Sequence, residues 1–123
     1  VFSVKANNRT IGAIGEEIAV ELLKEKGLVI LARNFRCRFG EIDIIARDQK
    51  TLVFIEVKTR KSLKWGRAEE AVNHKKRAKL RCLAAFYLQK KFLLGVPCRF
   101  DVCSVYLNEQ NMFESAEILQ NCF

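Results

Sequence analysis

The chain has 123 residues, half of them hydrophobic, a single proline and a formal net charge of +8. That length suits one domain over residues 1–123 with one core, and the composition excludes a disordered chain in favour of a folded α/β domain. No run reaches the ~20 apolar residues of a membrane span, and the first thirty residues carry no signal-peptide core.

Residues 10–26 are expected to form an amphipathic helix with Gly27 at its C′ position. Ile18, Ala19, Leu22 and Leu23 make the buried stripe, while Glu17, Glu21, Lys24 and Glu25 point outward. Glu16 is the misfit: at 100° per residue it falls between Ala19 and Val20, inside the apolar arc. Two readings stand, a first-turn acid that snorkels to water or an acid turned toward a site. Leu28 to about Arg38 reads as a first strand and Gly40 to Ala46 as a second. Residues 47–51 form a turn of about five residues, and Leu52 to Thr59 a third strand. Leu63 to Arg67, with Trp65 and Gly66, is a connection to a long helix over roughly residues 68–91. The stripe of that helix is Val72, Leu80, Leu83, Ala84, Tyr87 and Leu88, and Lys76 falls squarely on it. Lys75, Lys79, Lys90 and Lys91 are surface positions. After Gly95-Val96-Pro97, Arg99 to Leu107 forms another strand, and Met112 to Leu119 adds an edge strand. The expected order is α-β-β-β-α-β-β, with a mixed sheet of four to five strands flanked by helices.

Residues 57–91 hold twelve Lys or Arg against two acids, Glu69 and Glu70. Such a block suits a polyanion, most simply nucleic acid, although an anionic membrane surface or a merely solvated helix face also fits. The chain starts at Val1, so residues upstream are expected. Five cysteines without a Cys-x-x-Cys pair suit reduced thiols in a cytoplasmic protein. His74 is the only histidine, which excludes His-rich zinc sites and leaves hard-metal carboxylate chemistry.

Twelve residues separate Asp43 from Glu56, and Lys58 follows two positions later. Acids inside apolar strands are costly to desolvate unless they pair, bind a cation or face a solvated cleft. Alternation along a strand projects Glu56 and Lys58 together. If the two segments pair as a hairpin, Asp43 and Glu56 can supply two carboxylates, and Val57 a backbone carbonyl, to Mg²⁺ or Mn²⁺. Lys58 would then orient or deprotonate a water. The competing reading is a structural ion pair between Lys58 and either acid.

The segments Gly40-Glu41-Ile42-Asp43-Ile44-Ile45-Ala46-Arg47-Asp48 and Phe54-Ile55-Glu56-Val57-Lys58-Thr59-Arg60 closely resemble the signature of the YraN-like family of small bacterial proteins. Gly15-Glu16 with Ala19, Leu31 to Asn34, Ala71-Val72 with Lys76, Arg99 to Val102 and the terminal Gln120 to Phe123 extend the resemblance almost end to end. The family is similar to PD-(D/E)xK, restriction-endonuclease-like nucleases, near the archaeal Holliday junction resolvases. The resemblance implies a catalytic set of Glu16, Asp43, Glu56, Lys58 and Lys76, with Glu16 joining the metal-binding acids. It further implies a metal-dependent endonuclease that acts on DNA, leaving 5′-phosphate and 3′-hydroxyl ends. The resolvase likeness adds branched DNA in recombination or repair, and a homodimer that cuts two strands. The Pro-Asp dipeptide that names the superfamily is absent, because Ile42 precedes Asp43. Some members of the superfamily bind DNA without cutting it, so a non-catalytic module working with a helicase or recombination partner is the alternative.

Arg36, Arg38, Thr59, Arg60, Lys61, Lys64, Arg67, Lys75 and Lys79 are the expected phosphate contacts. Trp65 and Phe39 either stack on a splayed base or are buried. Asp101 either pairs with Arg99 or a site lysine, or binds metal.

Overall fold

The computed structural model describes residues 8–61 and 74–122. Helix α1 spans Asn8–Glu25, followed by strands β1 (Val29–Cys37), β2 (Gly40–Asp48) and β3 (Thr51–Arg60). Helix α2 (His74–Lys90), β4 (Cys98–Leu107) and β5 (Phe113–Leu119) complete the expected α-β-β-β-α-β-β order. The strands lie side by side in chain order; β3 and β4 are parallel, and every other pair is antiparallel. α2 lies in the connection between the parallel pair, as such a crossover requires.

Ile44 to Ala46 of β2 and Leu52 to Ile55 of β3 are continuous apolar runs, which mark strands covered on both faces. α1 covers one face, where Ala19, Val20 and Leu23 meet Ile44, Ala46, Val53 and Ile55. α2 covers the other, where Leu80, Leu83, Ala84 and Tyr87 meet Ile45, Leu52 and Phe54. Most of the described α2 stripe is therefore core, with Leu88 partly buried against it. On α1, Ala19 and Leu23 are core and Val20 joins them, whereas Ile18 and Leu22 are only partly buried. α1 ends as expected at Gly27, whose φ of 91° suits a residue without Cβ. The Gly27 and Leu28 N–H groups donate to the Lys24 and Leu23 carbonyls at 2.9 and 3.0 Å, closing a Schellman motif.

One expected boundary is corrected. The turn between β2 and β3 is not five residues but two, Gln49 and Lys50, because Asp48 pairs with Thr51 and Arg47 with Leu52. Gln49 takes the left-handed conformation that so tight a turn demands (φ 55°). The polar flanks of this hairpin are strand residues, exposed at Arg47 and half-buried at Asp48 and Thr51, not loop. For the second helix, residues 68–73 lie outside the described residues, as do Lys64, Trp65 and Arg67 of the preceding connection.

Candidate functional site

The site is a fork in the sheet. Pairing of β2 with β3 ends at Ile44↔Ile55. Beyond it β2 stays with β1 as far as Cys37↔Gly40, while β3 stays with β4 as far as Arg60↔Tyr106. From Glu56 onward one edge of β3 is thus released from β2, and a cleft of about 430 Å³ opens beside it. Ile11, Gly12 and Glu16 of α1 line this cleft together with Val57, Lys58, Thr59, Arg60 and Lys61.

Asp43 stands in the gap. Its Oδ2 accepts the Val57 N–H at 2.7 Å, a side chain replacing the ladder bond that the departing strand no longer offers. Burial and the neighbouring Glu56 charge, with smaller pushes from Glu16 and Glu41, outweigh that hydrogen bond and raise its pKa to about 6. Glu16 is also raised, mainly by burial, although the nearby Arg33 and a hydrogen bond from the Asn34 side chain oppose the shift. The acidic misfit on α1 therefore turns toward the site.

Glu56 is buried at 8% exposure and points to the α2 side. Lys76 Nζ lies 2.7 Å and Lys58 Nζ 3.4 Å from its Oε1. Burial, and then Lys76, lower the pKa of Lys58. Burial alone would lower Lys76 too, but its hydrogen bond to Glu56 holds it above the usual lysine value. One carboxylate shared by two amines thus leaves Lys58 the easier to deprotonate.

The expected residues lie around the fork without sharing a face: Glu16 and Lys58 line the cleft, whereas Asp43, Glu56 and Lys76 do not. Glu16 enters from the α1 side, Glu56 and Lys76 from the α2 side, and Asp43 links them through the fork instead of from a common face. Among the described residues, no three His, Cys, Asp or Glu side chains are grouped so as to hold a metal by themselves. Two carboxylates and a backbone carbonyl remain the donor set that this geometry can offer.

The surface residues divide. Arg60 and Lys61 line the cleft, and Lys61 Nζ lies 3.4 Å from the Glu109 carbonyl. Arg36 and Arg38 sit on the β1–β2 arm. Arg36 pairs with Glu41 at 3.1 Å, and Arg38 lies 4.8 Å above the Phe39 ring. Phe39 is packed against the α2-side core near Phe86, so burial accounts for it. Lys79 is exposed on α2, and the side chain of Lys75 lies outside the described set. Asp101 is buried against Arg99, 3.1 Å away, which settles its pairing.

Thr59 faces α1 and marks the closest approach of helix to sheet. A Cβ on Gly15 would overlap the Thr59 hydroxyl and come within 2.8 Å of Thr59 Cβ and Cγ2. Gly15→Ala is therefore expected to destabilise the protein by about 1–3 kcal/mol, the cost of overpacking, even though Ala is the better helix former. Urea denaturation checks this, and an Ala variant as stable as the parent would refute the close approach. Pairing the change with Thr59→Ala should recover most of the loss.

Asn34 was not among the expected site residues. Its φ of 52° is foreign to a strand, and its side chain reaches Glu16. An Asn in the middle of a strand segment was the available signal, since Asn is poor in strands and tolerant of left-handed backbone.

Comparison with known proteins agrees with the motifs. The model of the "Uncharacterised protein family UPF0102" matches residues 15–105. A UPF0102 protein of Caldicellulosiruptor saccharolyticus is 45% identical over 117 residues, covering 95% of this chain and 99% of its own. One from Moorella thermoacetica is 46% identical over 115 residues, covering 94% and 96%. Among solved structures, Pyrococcus furiosus SfsA in complex with Ca²⁺ is similar at 18% identity and a TM-score of 0.40. That match covers 93% of this chain and 62% of the SfsA chain. On the family match and these near full-length relatives, the chain belongs to the UPF0102 family, the YraN-like family that its motifs resemble.

Proposed function

We propose that this protein is a Mg²⁺- or Mn²⁺-dependent endonuclease that hydrolyses phosphodiester bonds of DNA. The observation that carries the reading is the fork itself. Asp43 and Glu56 are close enough for one charge to raise the other's pKa, and a lysine with a lowered pKa stands beside them. Two mutually repelling carboxylates fit a hard divalent cation. Asp43 and Glu56 would hold it with the Val57 carbonyl, which shares a strand edge with the Val57 N–H and so faces the same gap. Glu16 would add negative charge from the helix side. When bound, such a cation polarises the scissile phosphate and stabilises the leaving oxygen.

The chain's own residues do the rest. Lys58, in its neutral form, accepts a proton from the attacking water, whose oxygen bonds to phosphorus as the bond to the 3′ oxygen breaks, and the released 3′ oxygen takes a proton from solvent. The products are a 5′-phosphate and a 3′-hydroxyl. Lys76 neutralises Glu56, and Arg60 and Lys61 hold backbone phosphates along the cleft without reading bases. Branched DNA is the substrate favoured by the motif resemblance, with a homodimer placing two clefts on two strands.

The test is incubation of labelled four-way junctions, flaps and linear duplex with Mg²⁺, Mn²⁺ or EDTA. Cleavage that needs metal and falls about 10²–10⁴-fold in Lys58→Ala is the expected result. Equal product from wild type and Lys58→Ala would defeat the reading. One observation favours a second reading: Lys58 and Lys76 already neutralise Glu56, as in a module that binds DNA without cutting, for a helicase or recombination partner. Salt-sensitive binding without any metal-dependent product would support that instead.

A further inference from the structure

We infer that Asn34 is a positioning residue of this site: its left-handed backbone turns Asp43 out of the strand ladder into the fork, and its side-chain amide holds Glu16 toward Asp43. The role deepens the proposed metal-dependent function and rests on it for its purpose, but the geometry stands separately.

Three observations meet at this residue. The β1–β2 register runs through Arg33↔Ile44 and Phe35↔Ile42, yet the pair between them, Asn34 with Asp43, is missing. In an extended strand, residues two apart share a face. Here they do not: Arg33 reaches Glu17 of α1 at 2.8 Å, whereas the Phe35 ring lies 5.2 Å from that of Tyr87 on α2. On the partner strand Ile44 belongs to the α1-side core and Ile42 to the α2-side core. Both strands change faces at the same level, and Asn34, with φ 52°, supplies the twist. Asp43, opposite it, loses its ladder position and takes the Val57 N–H with its side chain. From the same residue the amide reaches Glu16.

Asparagine is suited to both tasks at once. Gly and Asp also enter left-handed backbone. Gly has no amide, and Asp would set another negative charge beside Glu16, which already feels Glu17 and Glu41. The variants Asn34→Gly, Asn34→Asp and Asn34→Val therefore separate backbone from side chain.

Two measurements read them out: the Val57 amide signal and its hydrogen exchange in metal-free protein by NMR, and Mn²⁺ affinity by calorimetry. Asn34→Gly should keep the Val57 amide signal and protection but weaken Mn²⁺ binding about tenfold, the usual effect of removing an outer hydrogen bond. Asn34→Asp should keep the same amide signal, with Mn²⁺ binding no tighter than in the Gly variant. Asn34→Val should shift the Val57 signal and speed its exchange on the order of tenfold while core amides of Phe54 and Ile55 hold. A Val variant with an unchanged Val57 amide would overturn the backbone role. A Gly variant with wild-type Mn²⁺ affinity would overturn the side-chain role. Should wild-type protein bind no Mn²⁺, the metal reading fails, and the Val57 amide still decides whether Asn34 sets Asp43.

Discussion

Without metal at pH 8, Asp43→Asn is expected to melt higher than the parent protein, and to have lost Mn²⁺ binding and cleavage. The Asp43 carboxyl ionises with a pKa of about 6 in the fold, against 3.8 for the free side chain. A raised folded pKa means that the folded state holds the proton more tightly than the unfolded state. Its contribution to stability is complete below about pH 4 and is lost as pH rises through 6. Above that the ionised carboxylate costs the fold on the order of 2–3 kcal/mol. Asparagine removes the charge and keeps an oxygen for the Val57 N–H, which Asp43 accepts at 2.7 Å. A neutral acceptor is the weaker one, so a net gain of about 1–2 kcal/mol, or a few degrees in Tm, is expected. The difference should vanish as pH falls to 4, where the native Asp43 is protonated. Adding Mn²⁺ at pH 8 should raise the Tm of the parent and leave the Asn variant unmoved, because only the parent gains by binding. A Tm difference that is constant from pH 4 to 8 would show that Asp43 carries no such penalty. The trade expected here, stability given up for a charged pocket, is what separates a functional acid from a structural one.

The parts of this arrangement that rest on periodicity were legible in the chain. Ile44 to Ala46 and Leu52 to Ile55 are short apolar runs, and both belong to central strands. Glu16 and Lys76 were visible as polar residues on apolar helix stripes, and both reach the site. What depends on contacts between distant segments was not legible. The joining of Arg99 to Asp48 spans 51 positions, and no local pattern announces it. Phe39 is equally suited to a base or a core until α2 brings Phe86 within 6.2 Å of it. The hairpin turn was overestimated because Arg47, Asp48 and Thr51 are polar, and polarity at a strand end reads as loop. The fork itself escapes any pattern of hydrophobicity. It is made by where pairing stops, and by one asparagine whose backbone angle is invisible in the letters.

At the other end of the sheet, Arg99→Ala is expected to be the most damaging single change to stability, and to leave the site's chemistry intact. Asp101 is 1% exposed, and Arg99 Nε lies 3.2 and 3.1 Å from its two oxygens. The same guanidinium donates to Asp48 Oδ2 at 2.9 Å. Truncating it leaves Asp101 Oδ1 accepting the Asn121 N–H of the C-terminal segment at 3.0 Å, and one donor does not repay burial of a full negative charge. The cost of such an orphaned charge is about 3–5 kcal/mol, which corresponds to a fall in Tm on the order of 10–20 °C for a domain of this size. Removing both charges is expected to cost less than removing one. Arg99→Ala with Asp101→Asn should recover a large part of the loss, since the buried group is then neutral and still accepts from Asn121. Arg99 sits opposite Val53 in the β3–β4 register, whereas the fork begins at Glu56 opposite Val102. Cleavage per folded molecule, assayed well below the lowered Tm, should therefore match the parent. A double variant no more stable than Arg99→Ala would mean that the pair is not the source of the loss. Cleavage that fell with Asp101→Asn alone, at full folding, would return that acid to the metal site.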